Sequence, residues 1–224
     1  MKNTNDQLAV LFDLDGTLID TEPQYSLFWK QIGIKYLHID NLHHKIRGSS
    51  LSSTLDNYFP GQEELHKLII QELDTYEASM TFPFIEGAID FVKELRSQGV
   101  KLAIVTSSDK RKMQYVFKAH PFLSDMFDII AMAGDYQRSK PDPECFVYAA
   151  HRLNIIPENC FVFEDSLLGL EAGNRANMHV IGIDATLNNK DVEKLASLVI
   201  SDYNNISLSS LLTLKKTDNM RRHF

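Results

Sequence analysis

The sequence predicts an α/β fold: a doubly wound, mostly parallel sheet with a helical subdomain inserted after its first strand. Three observations carry that expectation. Apolar runs recur at Leu8-Ala9-Val10-Leu11-Phe12, at 100–105 with Lys101 its one polar residue, at Phe161-Val162-Phe163 and at Val180-Ile181-Gly182-Ile183. They lack polar alternation, so they read as strands covered on both faces. Helix-patterned segments alternate with these runs from residue 84 onward, whereas 21–80 is helix-like with no convincing strand.

The first strand ends directly in Asp13-Leu14-Asp15-Gly16-Thr17, which delivers two carboxylates and a turn to the carboxyl edge of the sheet. Alone, Asp-Gly is an ordinary turn signal. The inserted block places Tyr25, Phe28, Trp29 and Ile32, then Leu65, Leu68, Ile69, Leu73 and Tyr76, at spacings suited to amphipathic helices. It is too long for a simple connection and reads as a lid over the strand ends. Glu22-Pro23 and Pro83 mark its boundaries, giving a core of 1–20 and 84–224 and a cap of 21–83. Helices are predicted over 87–97, 110–119, 143–153 and 167–176, a short strand over 129–132, and a loosely held tail over 215–224.

The 224 residues are 44% apolar, enough to bury a sizeable core. A net charge of -7 and a pI near 5.6 argue against a nucleic-acid or anionic-membrane partner. Cys145 and Cys160 are too few for a disulfide framework and lack metal-site spacing. The polar start has no signal-like apolar stretch, and no run approaches the roughly 18 apolar residues of a membrane span. A cytoplasmic protein is expected, with a monomer favoured.

Three further strand ends add chemistry to Asp13 and Asp15. Thr106-Ser107-Ser108 offers hydroxyls and backbone donors to an anion, although such residues often cap the next helix, here from Ser108 or Asp109. Ser139-Lys140-Pro141-Asp142-Pro143 holds a lysine in a restricted loop, able to neutralise a phosphate oxygen. Glu164-Asp165 repeats the pattern of acids after an apolar strand. Asp165 with Asp13 and Asp15 forms an oxygen set suited to Mg2+. His43-His44 reads as cap surface, and Trp29 with Tyr25 and Phe28 as cap packing.

In this order, Asp-Leu-Asp-Gly-Thr, Thr106, Lys140 and Glu164-Asp165 resemble the four motifs of the haloacid dehalogenase superfamily, over residues 9–184. The helical insertion is similar to that superfamily's C1-type cap on a Rossmann-like core, in the β-phosphoglucomutase-like phosphatase subgroup. The resemblance implies a Mg2+-dependent phosphatase of a small phosphorylated metabolite, such as a sugar or polyol phosphate. It implies Asp13 as nucleophile and Asp15 as general acid/base. Thr106, Ser107 and Lys140 would bind the phosphate, and Mg2+ would contact the Asp13 side chain, the Asp15 carbonyl and Asp165, with Glu164 in support. A phosphomutase is the alternative. The cap departs from the mutase pattern, since Leu51 follows Gly48-Ser49-Ser50 where that subgroup has arginine, no lysine lies near Ser79, and Tyr25 replaces a cap histidine. Arg47 is the replacement cation to examine, and Tyr25 and Arg47 are the candidate cap contacts to substrate. A dehalogenase and a noncatalytic metabolite-binding regulator rank behind these.

Overall fold

The structure, a computed structural model, describes residues 7–184 and 190–222. The polar start at 1–6 and the last two residues lie outside them. In chain order, β1 (Ala9–Phe12) leads into four helices, α1 (Glu22–Ile32), α2 (Leu42–Ile46), α3 (Leu51–Tyr58) and α4 (Glu63–Glu77). Then follow α5 (Ala88–Ser97), β2 (Lys101–Val105), α6 (Lys110–Ala119), α7 (Leu123–Met126), β3 (Ile129–Ala131) and α8 (Glu144–Leu153). The chain continues through β4 (Cys160–Glu164), α9 (Leu167–Arg175), β5 (His179–Ile183), α10 (Lys190–Leu195), β6 (Leu198–Ile200) and α11 (Leu208–Arg222).

Among the described residues the strands form one parallel sheet in the order β3-β2-β1-β4-β5-β6. β1 is central and buried at every position, as its unbroken apolar run predicts. The chain steps from β1 to β2 on one side and later to β4 on the other, so the crevice of this topology opens at the carboxyl end of β1. Register brings the site residues there: Phe12 lies opposite Ile104 in β2 and Phe163 in β4, so each strand delivers its polar residues to one edge.

Alternate side chains of β1 feed two cores. Val10 and Phe12 join Phe91, Val92 and Leu95 of α5, while Ala9 and Leu11 pack with Cys145, Phe146 and Ala149 of α8. Phe12 stacks on Phe163 at 5.0 Å between centroids and meets Phe91 edge-on at 6.2 Å. Truncating so buried a ring costs about 3–5 kcal/mol. Behind the turn that follows β1, the buried Tyr203 donates its hydroxyl proton to the Thr17 carbonyl at 3.0 Å.

The helices α1–α4 own a separate core built on Phe28, Trp29, Ile32, Leu42, Ile46, Leu55, Phe59, Ile69 and Leu73. This is the predicted helical cap. Its two connections leave the sheet side by side. The Asp20 N–H donates to the Pro83 carbonyl at 2.8 Å and the Ile85 N–H to the Leu18 carbonyl at 2.9 Å. Gln24 braces them further, its side chain donating to the Thr81 carbonyl at 2.8 Å and accepting from the Thr81 N–H at 3.1 Å.

The predicted loose tail is corrected: residues up to 222 form α11, which docks on the sheet. Asp218, with mixed charges around it in sequence, is buried and accepts hydrogen bonds from His179 Nδ1 of β5 at 2.8 Å and from Ser197 at 3.0 Å. A polar partner buried beneath a helix is invisible to a composition reading. The short edge strand β6 and α10 also escaped it, being too brief for periodicity to register.

Candidate active site

Asp13 leaves β1 with its backbone still paired to the sheet, the Asp13 N–H donating to the Phe163 carbonyl at 3.0 Å. The turn that follows is closed by Leu14, whose carbonyl accepts from the N–H groups of Leu18 and Ile19, both at 2.9 Å. Gly16 is required in this turn. Its φ is +74°, and a Cβ there would stand 2.2 Å from Asp165 Oδ2, so the backbone approaches the β4 loop more closely than a side chain permits.

Four sequence-predicted residues converge on one buried cluster. Lys140, from a loop whose Lys140–Pro141 peptide is cis, donates to Asp13 Oδ1 at 2.6 Å, to Glu164 and to the Val105 carbonyl at 3.3 Å. The other Glu164 oxygen accepts from the Ser166 N–H at 3.0 Å and the Ser166 hydroxyl at 2.9 Å. Ser166 also caps α9, accepting from the Gly169 N–H at 3.1 Å. Carboxylate oxygens of Asp13, Glu164 and Asp165 lie within 4.8 Å of one another.

The electrostatics of this cluster are unbalanced. Burial pushes Asp13 well above the usual carboxylate range; Lys140 opposes the shift, while Glu164, Asp165 and Asp15 add to it. Burial likewise pushes Asp165 up to about 7, against the pull of Arg47 and with the push of Glu164. Lys140 is raised well above its ordinary value, its desolvation outweighed by Asp13 and Glu164. Three buried acids crowded within reach of a single ion therefore call for more positive charge than Lys140 and Arg47 supply. That is the donor set and the charge deficit that a small oxygen-seeking dication fits.

Asp15 turns away from the cluster. Its Oδ1 accepts from the Thr21 hydroxyl at 2.5 Å, and its Oδ2 accepts from the Ser108 hydroxyl at 2.9 Å and from the Lys112 ammonium. Burial works to raise its pKa, but Lys112, Thr21 and Ser108 outweigh burial and hold it below the usual value. Thr106 is buried, with Oγ1 accepting from the Ser108 N–H at 3.0 Å. The helix cap at α6 is Asp109, which accepts from the Lys112 N–H at 2.9 Å.

The cap closes over this edge. Residues 47–50 dock on the core loops: the Ser107 hydroxyl donates to the Gly48 carbonyl at 3.0 Å, and Ser50 and Ser139 hydroxyls lie 3.0 Å apart. Gly48 has φ +83°, and a Cβ there would sit 2.3 Å from Ser166 Oγ. Arg47 reaches Asp165 Oδ2 through Nε at 2.9 Å and Nη2 at 2.5 Å, with Glu22 at 3.7 Å. Tyr25 donates to Glu77 at 2.8 Å, and Arg111 of α6 ties Glu77 at 2.6 Å and Asp74 at 2.8 Å.

The pocket between cap and core is lined by Asp13, Asp15 and Asp165 below and by Tyr25, Trp29, His43, Arg47 and Glu77 above. This corrects the reading of His43 as cap surface: it lines the pocket with Nδ1 buried and unbonded among the described residues, while His44 is exposed. Trp29 belongs to the cap core as expected and also lines the pocket. Lys112, Arg111 and Glu77 were not singled out from the sequence, and Ser108, read there as an anion donor or helix cap, instead donates to Asp15. Nothing in their spacing tells which face of α4 or α6 meets the other subdomain.

The sequence profile of the haloacid dehalogenase-like hydrolase family matches residues 10–183. A phosphorylated carbohydrates phosphatase of Thermotoga maritima is 31% identical over 196 residues, covering 80% of this chain and 87% of its own. Hexitol phosphatase A of Escherichia coli is 28% identical, covering 78% and 82% respectively. In the solved structure of β-phosphoglucomutase from Clostridium difficile the same fold recurs with a TM-score of 0.80 and 26% identity, over 96% of this chain and 99% of that one.

Proposed function

The chain belongs to the haloacid dehalogenase-like hydrolase family, and from that premise we propose that it is a Mg2+-dependent phosphatase of small phosphorylated metabolites, sugar or polyol phosphates foremost. The observation that carries this reading is the convergence of Asp13, Lys140, Glu164 and Asp165 at the carboxyl end of the central strand, beneath a pocket lined by both cap and core. Asp13 attacks phosphorus in line; the Asp13–P bond forms as the bond to the ester oxygen breaks, and Asp15 gives that oxygen a proton. Asp15 then takes a proton from the water that attacks the phosphoaspartate, releasing inorganic phosphate and restoring Asp13. Lys140 offsets the charge that would keep two anions apart. Thr106 and Ser107, at the end of β2, orient the phosphoryl oxygens through hydroxyl and backbone donors.

Mg2+ would be held by the Asp13 side chain, the Asp15 carbonyl and Asp165, with Glu164 in support, and when bound it supplies Lewis-acid polarisation of the phosphoryl group. The acidic cluster and its charge deficit support this assignment. Residues 21–83 act as the cap that excludes water and contacts the leaving group, through Tyr25 and Arg47 among others. Buried, unpaired Cys145 and Cys160 fit a reducing, cytoplasmic setting.

Hydrolysis is favoured over transfer between two positions of a sugar. The pocket cations are already engaged: Arg47 with Asp165, Arg111 with Asp74 and Glu77, and Lys112 with Asp15. A second phosphate would have to displace one of those carboxylates. The test is phosphate release from a panel of phosphorylated metabolites with Mg2+ and with chelator, alongside β-glucose 1-phosphate primed with its 1,6-bisphosphate. Metal-dependent phosphate release from sugar or polyol phosphates is the expected result. Stoichiometric isomerisation with little phosphate release would replace the phosphatase by the mutase.

A further inference from the structure

Asp15 is gripped at its two oxygens by different parts of the molecule. Oδ1 meets Thr21, which sits on the linker into α1, whereas Oδ2 meets Ser108 and Lys112 at the start of α6. Lys112 is a built group. Its residue is 5% exposed, its N–H is fixed by the Asp109 cap at 2.9 Å, and its Nζ lies 4.4 Å from the centroid of the cap's Tyr25 ring. Desolvating an ammonium costs several kcal/mol unless a partner repays it, and an apolar side chain would fill a slot between a tyrosine ring and a helix more cheaply. The lysine therefore needs a reason beyond packing.

We propose that Lys112 is a positioning residue for Asp15: with Ser108 it occupies Oδ2, leaving Oδ1 to carry the reaction proton, and through Tyr25 it ties that orientation to a seated cap. The inference rests on the reading of Asp15 as proton donor. Oδ1–H passes its proton to the ester oxygen as the P–O bond breaks, and Oδ1 recovers one from the attacking water. Arg111, the adjacent residue, holds Asp74 and Glu77 of α4, so one turn of α6 engages both the acid and the cap.

The test measures single-turnover release of the leaving group, which isolates the first step, from 4-nitrophenyl phosphate and from an alkyl phosphate such as glycerol 3-phosphate. An aryl leaving group needs little protonation and an alkoxide needs much. Lys112→Met is expected to slow the alkyl ester about tenfold to a hundredfold more than the aryl ester, with Lys112→Arg recovering most of the loss. Ser108→Ala, which removes the other Oδ2 donor and leaves the buried charge paired, should show the same signature more weakly; it also stands in if Lys112→Met does not fold. Equal losses for both esters in Lys112→Met and Ser108→Ala overturn the proposal, as does a change confined to KM. In an Asp15→Asn background Lys112→Met should add no further selectivity between esters, and an added selectivity there also overturns it. If Asp15→Asn itself slows both esters equally, the reading of Asp15 as the acid fails first and takes the proposal with it.

Discussion

Asp13 and Asp15 leave the same strand, yet different parts of the molecule hold them. Asp13 meets Lys140, whose side chain has no exposure, inside a cluster made wholly of core residues. Asp15 is held by Thr21 on the linker to the cap and by Ser108 and Lys112, with Tyr25 of the cap above the lysine. The core alone places Asp13, the proposed nucleophile. Asp15, the proposed acid, is held by contacts from both the core and the cap linker, so under the proposed mechanism proton transfer depends on the seated cap and attack on phosphorus does not.

The largest effect that would break this comparison belongs to Asp13. Asp13→Asn is expected to lower phosphate release by at least about 10³-fold, because the amide cannot attack phosphorus, with a melting temperature close to that of the parent chain. Retained turnover would remove Asp13 from its role. Next is Lys140→Met. It leaves Asp13 and Glu164 buried without their shared cation, and breaking such a pair costs about 3–5 kcal/mol, read by chemical denaturation. Lys112→Met should cost less, because the Asp15 side chain is 24% exposed and keeps Thr21 and Ser108 as donors. A Lys112→Met loss equal to that of Lys140→Met would erase the distinction between the two lysines.

A third effect sharpens the metal end of the site. Asp165 is pushed up to about 7 by burial, so between its unfolded value near 3.8 and that point the folded chain binds the extra proton. Its contribution to stability is fully present below the unfolded value and is lost as pH rises through about 7. In chelator, melts across this range should therefore fall more steeply for the parent than for Asp165→Asn. Added Mg2+ should raise the melting temperature more at pH 8 than at pH 5.5, because binding competes with protons. Identical profiles for parent and Asp165→Asn would contradict the assignment. The smallest effect is expected at the rim. Asp74→Ala removes the exposed partner of Arg111 and should change stability by less than about 1 kcal/mol, with a few-fold rise in KM for a bulky ester and little change in kcat for a small one.

Strand-end chemistry was open to a reading of the sequence because a covered parallel strand is an uninterrupted apolar run, and the residues that break the run must emerge at the sheet's edge. That logic reaches Asp13, Thr106, Glu164 and Asp165, while Lys140 is marked instead by its proline-flanked loop, and the same pattern separates a helical insertion from the sheet around it. Lys112, Glu77, the contact of Ser108 with Asp15 and the pocket side of His43 were out of reach. Which face of α6 meets which face of α4 depends on how two independently packed cores dock, and 3.6-residue periodicity names a buried face without naming what it is buried against. Asp218 gives the same lesson at the other end of the chain, where a charged stretch hides the carboxylate that His179 requires. Local hydrophobic pattern thus reaches the elements and the acids at their ends, because those follow from neighbours in the chain. The partner of each charge is a long-range contact, and folding of the whole chain assigns it.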